Sequence, residues 1–213
     1  MQRRKVKRVS IKSFSFLGVF ASLREIILLC SLFLPAASYA SPTGDPDPEL
    51  RVLLEKAIAN ADSFEDKYDA EVWLSDMSVR LQRHVPKALP DADARLQFLR
   101  LLHSEAQRAR VQPELALAVI DVESRFNRHA ISSAGAQGYM QIMPFWLKEL
   151  KRSDASLFDA RTNLRMGCTI LRYYYDLERG DLVKALARYN GSYGRREYPD
   201  QVIRALNKRW YRS

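Results

Sequence analysis

Residues 113–123 read Pro-Glu-Leu-Ala-Leu-Ala-Val-Ile-Asp-Val-Glu, and this stretch decides the fold prediction. Proline suits the first position of a helix and an acidic residue suits its first turn, so Pro113 and Glu114 mark a helix start. The residues that follow are apolar on almost every side, which is typical of a helix buried at the centre of a protein. We therefore predict a mainly α fold built around a buried helix that ends at Glu123.

Glu123 is the candidate for chemistry on this helix. It follows Val119 by four residues and Ile120 by three, so its carboxyl group shares their apolar face. Burial disfavours the charged form, and we expect the pKa of this carboxyl to be raised. An acid that stays protonated near neutral pH can protonate a leaving glycosidic oxygen. Alternatively, Glu123 faces solvent or pairs with Arg125 or Arg128.

Further motifs surround this carboxyl and follow it along the chain. They are Glu123-Ser124, the segment 130–135, Gly138-Tyr139-Met140-Gln141 with Pro144 after it, and Ala187-Arg188-Tyr189-Asn190-Gly191. In order and spacing they resemble the Glu-Ser, Gly-Leu-Met-Gln and Ala-x-Tyr-Asn motifs of the soluble lytic transglycosylase catalytic domain, family 1 type. The resemblance covers about residues 100–210. It implies a lysozyme-like fold, related to goose-type lysozyme, and cleavage of peptidoglycan between N-acetylmuramic acid and N-acetylglucosamine with a 1,6-anhydro product.

The resemblance also implies roles for individual residues. Glu123 would act first as the catalytic acid and then as the base, and Ser124 would support the substrate acetamido group or orient Glu123. Met140 and Gln141 would line the sugar subsites. Two more residues complete the implied site: Tyr189, close to Glu123 and stabilising positive charge, and Asn190, binding sugar or securing the loop.

Tyr139 departs from the family pattern, which usually has Leu at this position. In a cleft, its ring would add a stacking face for a sugar or narrow a subsite. The alternative is a core residue whose hydroxyl reaches the surface.

A second carboxylate would distinguish a conventional glycosidase, because retaining enzymes need one about 5 Å from the first and inverting enzymes one roughly 6.5 to 9.5 Å away. Asp121 is excluded, since residues two apart on a helix face nearly opposite sides. Asp154 and Asp159 lie in a following loop and are not excluded. The lack of an evident partner favours a route assisted by the substrate's own acetamido group or C6 hydroxyl.

The amino terminus predicts export. Residues 1–40 combine a basic start, an apolar stretch at 26–34 and small residues before a cleavage site after Ala40, which is the pattern of a signal peptide. The apolar stretch is shorter than the about 20 residues that span a bilayer, although an uncleaved anchor that also uses residues 14–23 remains an alternative. Cys30 lacks the context of a lipid-attachment site. We therefore predict a periplasmic protein with no stable membrane insertion after cleavage.

Removal of residues 1–40 changes the charge balance of the chain. They hold seven of the 34 basic and one of the 25 acidic residues, so the remainder has a formal charge of +3 instead of +9. No basic stripe with interleaved aromatic residues remains except 204–212, which we assign to helix capping or to contact with anionic peptide stems. Nucleic-acid binding is therefore not predicted.

The predicted organisation is a signal peptide at 1–40, a flexible tether at 41–48, a helical extension at 49–95 and the lysozyme-like domain at 96–213. The extension would pack on the domain as a brace, or it would bind a partner through the residues around Trp73. Helices are predicted at 49–61, from a Ser63–Asp66 capping box to Pro86, and at 91–110, 161–178, 181–189 and 199–209.

No cofactor is expected, because no Cys or His spacing fits a metal site, and Cys168 is predicted to be a small buried residue. We expect a monomer that acts on peptidoglycan glycan strands. A secretion apparatus is a further possible partner. Two other functions remain open: a lysozyme-type hydrolase, and a non-catalytic peptidoglycan-binding or secretion-accessory protein.

Overall fold

The computed structural model describes residues 47–59, 67–152 and 154–211. The predicted signal peptide, Cys30, most of the tether and the Ser63–Asp66 capping box lie outside these ranges. Within them the chain forms helices and no strand, which confirms the mainly α prediction. The helices are α1 (Pro48–Ala59), α2 (Lys67–His84), α3 (Ala92–Arg108), α4 (Pro113–Glu123), α5 (Phe145–Glu149), α6 (Ala160–Leu177), α7 (Leu182–Tyr189) and α8 (Glu197–Ala205).

Helix α4 lies at the centre of the core, as its sequence predicts. Pro113 starts the helix, and every residue from Leu115 to Asp121 is buried. The buried Asp121 accepts hydrogen bonds from Arg209 Nη1 at 2.6 Å and Trp210 Nε1 at 3.1 Å. These bonds fix α4 to the π-helical turn Leu206–Trp210 that continues α8. Asp121 thus serves packing, on a different side of α4 from Glu123.

The caps of α6 and α7 follow the sequence signals closely. The Asp159 carboxylate accepts from the Thr162 amide at 2.8 Å, and the Asp181 carboxylate accepts from the Lys184 amide at 3.0 Å. Cys168 is fully buried on α6, as predicted, and burial raises the pKa of its thiol to about 12. Helix α8 starts at Glu197, before the predicted Pro199, because proline is tolerated within a first turn.

Helices α1 and α2 contact two different parts of the molecule. Leu50 and Leu54 of α1 are fully buried, and α1 packs on α6, where the Tyr173 hydroxyl donates to Asp47. Helix α2 packs on α3, and its Trp73 Nε1 donates to Glu114 of α4 at 2.8 Å. None of the helices in the described ranges is long and apolar enough to cross a membrane.

Residues 124–144 form an irregular segment between α4 and α5. Three of its residues form two isolated antiparallel bridges, Ile131 with Gln137 and Gln137 with Ile142. Gly138 has a φ of +77°, and a side chain there would lie 2.3 Å from Asn163 Nδ2. This segment is held against α6, where a Cβ atom at Gly167 would lie 2.4 Å from Met140 Sδ. Glycine at both positions therefore permits the close packing.

Candidate active site

Glu123 ends α4 with its carboxyl group largely withdrawn from solvent. Burial is the main influence on this group and raises its pKa from an ordinary 4.5 to about 7. The Tyr198 hydroxyl donates a hydrogen bond to Glu123 Oε1 at 2.7 Å and opposes this rise, because it stabilises the carboxylate. A carboxyl group with this pKa exchanges a proton readily near neutral pH. No ion pair with Arg125 or Arg128 forms, contrary to the alternative drawn from the sequence.

Tyr198 is one of two residues around the site that the sequence analysis did not name, and Asn163 is the other. Tyr198 lies in the first turn of α8, is only 8% exposed, and is bonded to a carboxyl 75 residues earlier in the chain. Burial, with the nearby Glu123 carboxyl second, raises the pKa of its hydroxyl well above the ordinary value. The hydroxyl therefore stays protonated and remains a hydrogen-bond donor. Helix periodicity gives no signal for such a contact.

Tyr189, at the end of α7, lies in the same buried region. Its hydroxyl donates to the Met140 carbonyl oxygen at 2.8 Å. Burial raises its pKa well above the ordinary value, and the negative charge of Glu123 contributes to this rise. Tyr189 thus links α7 to the irregular segment beside Glu123. Asn190, the next residue, is exposed, and its backbone amide bonds to Leu186.

Ser124 connects the acid to the same irregular segment. Its Oγ lies 2.8 Å from the Tyr139 carbonyl oxygen and 3.2 Å from the Ile120 carbonyl oxygen, and it can donate to one of them at a time. The hydroxyl therefore fixes the end of α4 against residue 139. The two roles that the resemblance implies for Ser124, support of the substrate acetamido group or orientation of Glu123, both stay predictions.

Met140 and Gln141 hold this segment in place. The Met140 side chain is fully buried against α6. Its role in lining the sugar subsites stays a prediction. Gln141 has a φ of +51°, and its amide donates to the carbonyl oxygens of Gly138 at 2.9 Å and Ala130 at 3.2 Å. Its side chain is therefore committed mainly to the loop.

Asn163 on α6 holds the irregular segment 124–144 through hydrogen bonds to its backbone. It is fully buried, its Oδ1 accepts from the Met140 amide at 2.8 Å, and its Nδ2 donates to the Gln137 and Leu157 carbonyl oxygens, each at 2.9 Å. Each bond satisfies a backbone group that would otherwise be buried without a partner. Asn163 stands among Arg161, Thr162 and Arg165, so the local sequence gives no signal for this role.

The Tyr139 ring belongs to the core, which matches the second of the two alternatives for this residue. It is 5% exposed and lies on Phe98, with ring centroids 4.7 Å apart. Burial raises the pKa of its hydroxyl, and the nearby Arg128 opposes the rise. The side chain also lines a cavity of about 480 Å³ beyond the acid.

The other candidate carboxylates are engaged elsewhere. Asp154 is exposed and pairs with Arg152 at 3.0 Å, while Asp159 caps α6. Glu105, fully buried, forms a bidentate ion pair with Arg165. In the described part of the chain, none of these groups forms a hydrogen bond with Glu123. Within the described ranges, the His, Cys, Asp and Glu side chains form no group of three or more that could hold a metal ion.

Comparison with known proteins gives three findings. A transglycosylase of Enterobacteria phage PRD1 is 29% identical over 119 residues, which are 53% of this chain and 44% of that protein. Membrane-bound lytic murein transglycosylase C of Actinobacillus pleuropneumoniae is 44% identical over 48 residues, 22% of this chain and 13% of that protein. The solved complex of the 70-kDa soluble lytic transglycosylase with bulgecin A is 25% identical, with a TM-score of 0.42, over 63% of this chain and 24% of that one.

The chain thus spans less than half the length of these curated relatives. The model of the Transglycosylase SLT domain aligns with residues 100–207, about half of the chain, from the second half of α3 into the π-helical turn. This range contains Glu123, the irregular segment, Tyr189 and Tyr198. The chain therefore belongs to the Transglycosylase SLT domain family.

Proposed function

We propose that this protein is a peptidoglycan lytic transglycosylase that cleaves the β-1,4 bond between N-acetylmuramic acid and N-acetylglucosamine. The observation that carries the proposal is the state of Glu123, a half-buried acid with a pKa of about 7 that accepts a hydrogen bond from Tyr198. The family membership and the relatives named as transglycosylases support it.

In the proposed reaction, the protonated Glu123 gives its proton to the glycosidic oxygen, and the bond from that oxygen to C1 of the muramic acid breaks. The resulting Glu123 carboxylate then takes the proton of the C6 hydroxyl as O6 bonds to C1. Glu123 ends the cycle protonated, the product carries a 1,6-anhydro ring, and no water is consumed. A pKa near 7 suits a group that must both give and take a proton.

Tyr198 would favour the first of these steps. Its hydroxyl bond stabilises the carboxylate that forms when Glu123 gives up its proton, and its burial makes the bond stronger than in water. Tyr189 and Ser124 would keep the irregular segment fixed beside the acid through their bonds to the carbonyl oxygens of residues 140 and 139. Gln141 and Asn190 remain the proposed sugar contacts.

A single-carboxylate mechanism fits the other acids around α4. Asp121 is bonded to Arg209 and Trp210, and Asp154 and Asp159 are engaged with Arg152 and with the α6 terminus. A hydrolase with two carboxylates would need one of them near Glu123. We therefore favour a substrate group, the C6 hydroxyl, as the internal nucleophile. With residues 1–40 as a signal peptide, the reaction would take place in the periplasm.

Mass spectrometry of the soluble products from purified peptidoglycan tests this proposal. Wild type should release anhydro-muropeptides, while Glu123→Gln should release none above background because its amide cannot supply the proton. Products one water heavier would instead indicate a lysozyme-type hydrolase. Absence of products from the wild type, with retained binding to sacculi, would indicate a non-catalytic wall-binding protein.

A further inference from the structure

A cavity of about 480 Å³ begins two residues beyond Glu123 and is not used by the proposed chemistry. Its floor is apolar, formed by the buried Phe126 and Tyr139 with the half-buried Val85 and Ala88. Its rim is formed by five exposed side chains, of which three are cationic: Lys87, Arg125 and Arg128, with Asn127 and His129 beside them. The rim thus comes from two separate parts of the chain, the α2–α3 connection and the segment after α4.

The rim cations are available to a ligand. No described carboxylate forms an ion pair with Lys87, Arg125 or Arg128. Arg128 Nε donates to the Phe158 carbonyl oxygen at 2.6 Å, which orients the guanidinium and leaves its Nη atoms for other acceptors. Like charges held around one cavity repel one another, and an anionic ligand would relieve this repulsion.

The Tyr139 hydroxyl adds a neutral donor to the same cavity. Its ring is fixed against Phe98, and within the described ranges its hydroxyl forms no hydrogen bond. Leucine, usual here in the resembling family, would offer no donor. The Tyr139 main chain also accepts from Ser124, so the cavity and the acid share one rigid connection.

We propose that this cavity is a subsite for the peptide that branches from the glycan strand, with the rim binding a peptide carboxylate and the floor accepting its alanine methyl groups. The proposal rests on the proposed function, because that function supplies the substrate. The peptide is attached to the muramic acid whose bond would be cleaved at Glu123. Arg125 follows Glu123 by two residues, and a peptide spans about 3.4 Å per residue, so the cavity is within reach of a short peptide.

Two substrates and two variants test the subsite. The substrates are glycan strands that carry peptides and the same strands after an amidase has removed them. The test variant is Lys87→Gln with Arg125→Gln, and the control is Arg100→Gln with Lys208→Gln, which removes two positive charges at other exposed positions. The measurement is kcat/KM for release of anhydro products in the full chain.

The test variant should lose about tenfold in kcat/KM on peptide-bearing strands and less than about twofold on stripped strands, since charge-assisted hydrogen bonds to a carboxylate would be lost. The control should lose less than about twofold on both. Tyr139→Phe removes only the hydroxyl. It should also lose more kcat/KM on peptide-bearing strands than on stripped strands, but the loss should be smaller than that of the double variant. Equal losses on both substrates, or no loss on either, would overturn the subsite.

Binding of the free peptide separates this proposal from the proposed function. Calorimetry of the released peptide with Glu123→Gln should show binding that the added Lys87→Gln and Arg125→Gln changes weaken about tenfold. This measurement needs no catalysis, so it decides the subsite even if wild type forms no anhydro product. Unweakened binding, or none to either protein, would reject the subsite.

Discussion

At the scale of single residues, the important fact is that the Glu123 carboxyl group is largely withdrawn from solvent and bonded to a neutral hydroxyl, whereas the buried Asp121 and Glu105 pair with arginines. Burial alone would raise the pKa of Glu123 further and make it a weaker acid, which gives its proton to the glycosidic oxygen less readily. The Tyr198 bond opposes the effect of burial, and the balance leaves a pKa of about 7. A group with this balance suits both halves of the proposed reaction.

This balance predicts the pH dependence of the rate. In wild type, kcat/KM should fall as pH rises above about 7, because the acid form of Glu123 is lost. Tyr198→Phe removes the bond that lowers this pKa, so the fall should move to higher pH. The maximal rate should also drop about tenfold or more, since the developing carboxylate loses a donor.

Initial rates between pH 5 and 9 check this prediction. Tyr175→Phe, a hydroxyl deletion on α6 outside the site, is the matched control and should behave as wild type. An alkaline limb at the same pH in Tyr198→Phe and wild type would show that the bond does not set the Glu123 pKa.

The same raised pKa predicts a cost in stability. Because the folded-state pKa of Glu123 lies above its ordinary value of 4.5, the folded protein loses stability as pH rises from about 4.5 through about 7. The loss amounts to at most about 3 kcal/mol. Glu123→Gln cannot ionise at this position. Its free energy of unfolding should therefore increase relative to that of wild type as the pH rises from about 4.5 to about 7.

Urea denaturation at pH 5 and pH 8 measures this difference, with the exposed substitution Glu197→Gln as control for the exchange itself. If the difference in unfolding free energy between Glu123→Gln and wild type were the same at both values of pH, the raised pKa would be refuted.

At the scale of elements, local signals predicted the helices other than the short α5 and failed for the segment between α4 and α5. Asp159 and Asp181 mark helix starts by their own side chains, so their caps are readable from sequence. The segment 124–144 has no periodicity, and its conformation depends on bonds to Asn163 and Tyr189, which are distant in the chain. Motif resemblance indicated which of its residues matter but not which way they point.

The site was predictable to a similar extent. The apolar face of α4 predicted that the Glu123 carboxyl group would be withdrawn from solvent, because Glu123 and its apolar neighbours lie on the same helix. The contact with Tyr198 joins residues 75 positions apart, and the burial of Met140 depends on the absent side chain of Gly167 on α6. Contacts of this kind arise from tertiary packing, which the spacing of residues within one helix does not encode.

Asn163 gives a prediction at this scale. Asn163→Ala would remove three hydrogen bonds to the backbone at Met140, Gln137 and Leu157, all in or beside the irregular segment. The free energy of unfolding should fall by about 2–4 kcal/mol, because buried polar groups lose their hydrogen-bond partners. Activity at a temperature where the variant stays folded should also fall, since the loop beside Glu123 loses its anchor.

Thermal and urea unfolding, combined with rates on peptidoglycan, measure both effects. Asn207→Ala, at an exposed position in the π-helical turn, is the control. Wild-type activity in a destabilised Asn163→Ala would separate the anchor from catalysis.

At the scale of the whole molecule, the question is whether α1 and α2 belong to the domain that holds the site. Their contacts reach α6, α3, α4 and the π-helical turn, and Arg80 Nη1 also donates to the carbonyl oxygens of Arg209 and Tyr211. Asp121 ties the same turn to α4. We therefore propose that the extension braces the base of the catalytic helix.

Hydrogen exchange tests this brace. If the extension is part of one cooperative unit, the amides of the buried turns of α2 should open with the same free energy as those of α3. Trp73→Phe removes the hydrogen bond to Glu114. It should lower the opening free energies of α2 and α3 together, by about 1 kcal/mol. An α2 that exchanges separately and earlier would identify an independent module instead.

The fully buried Cys168 has a practical consequence for all such measurements. A thiol reagent cannot reach its sulfur while α6 stays packed, and a thiol with a pKa of about 12 forms little of the reactive thiolate. If Cys30 is removed with the signal peptide, Cys168 is the single thiol of the remaining chain. The rate at which a reagent labels this thiol then measures how often the centre of the protein opens to solvent. No cysteine needs to be introduced for this measurement.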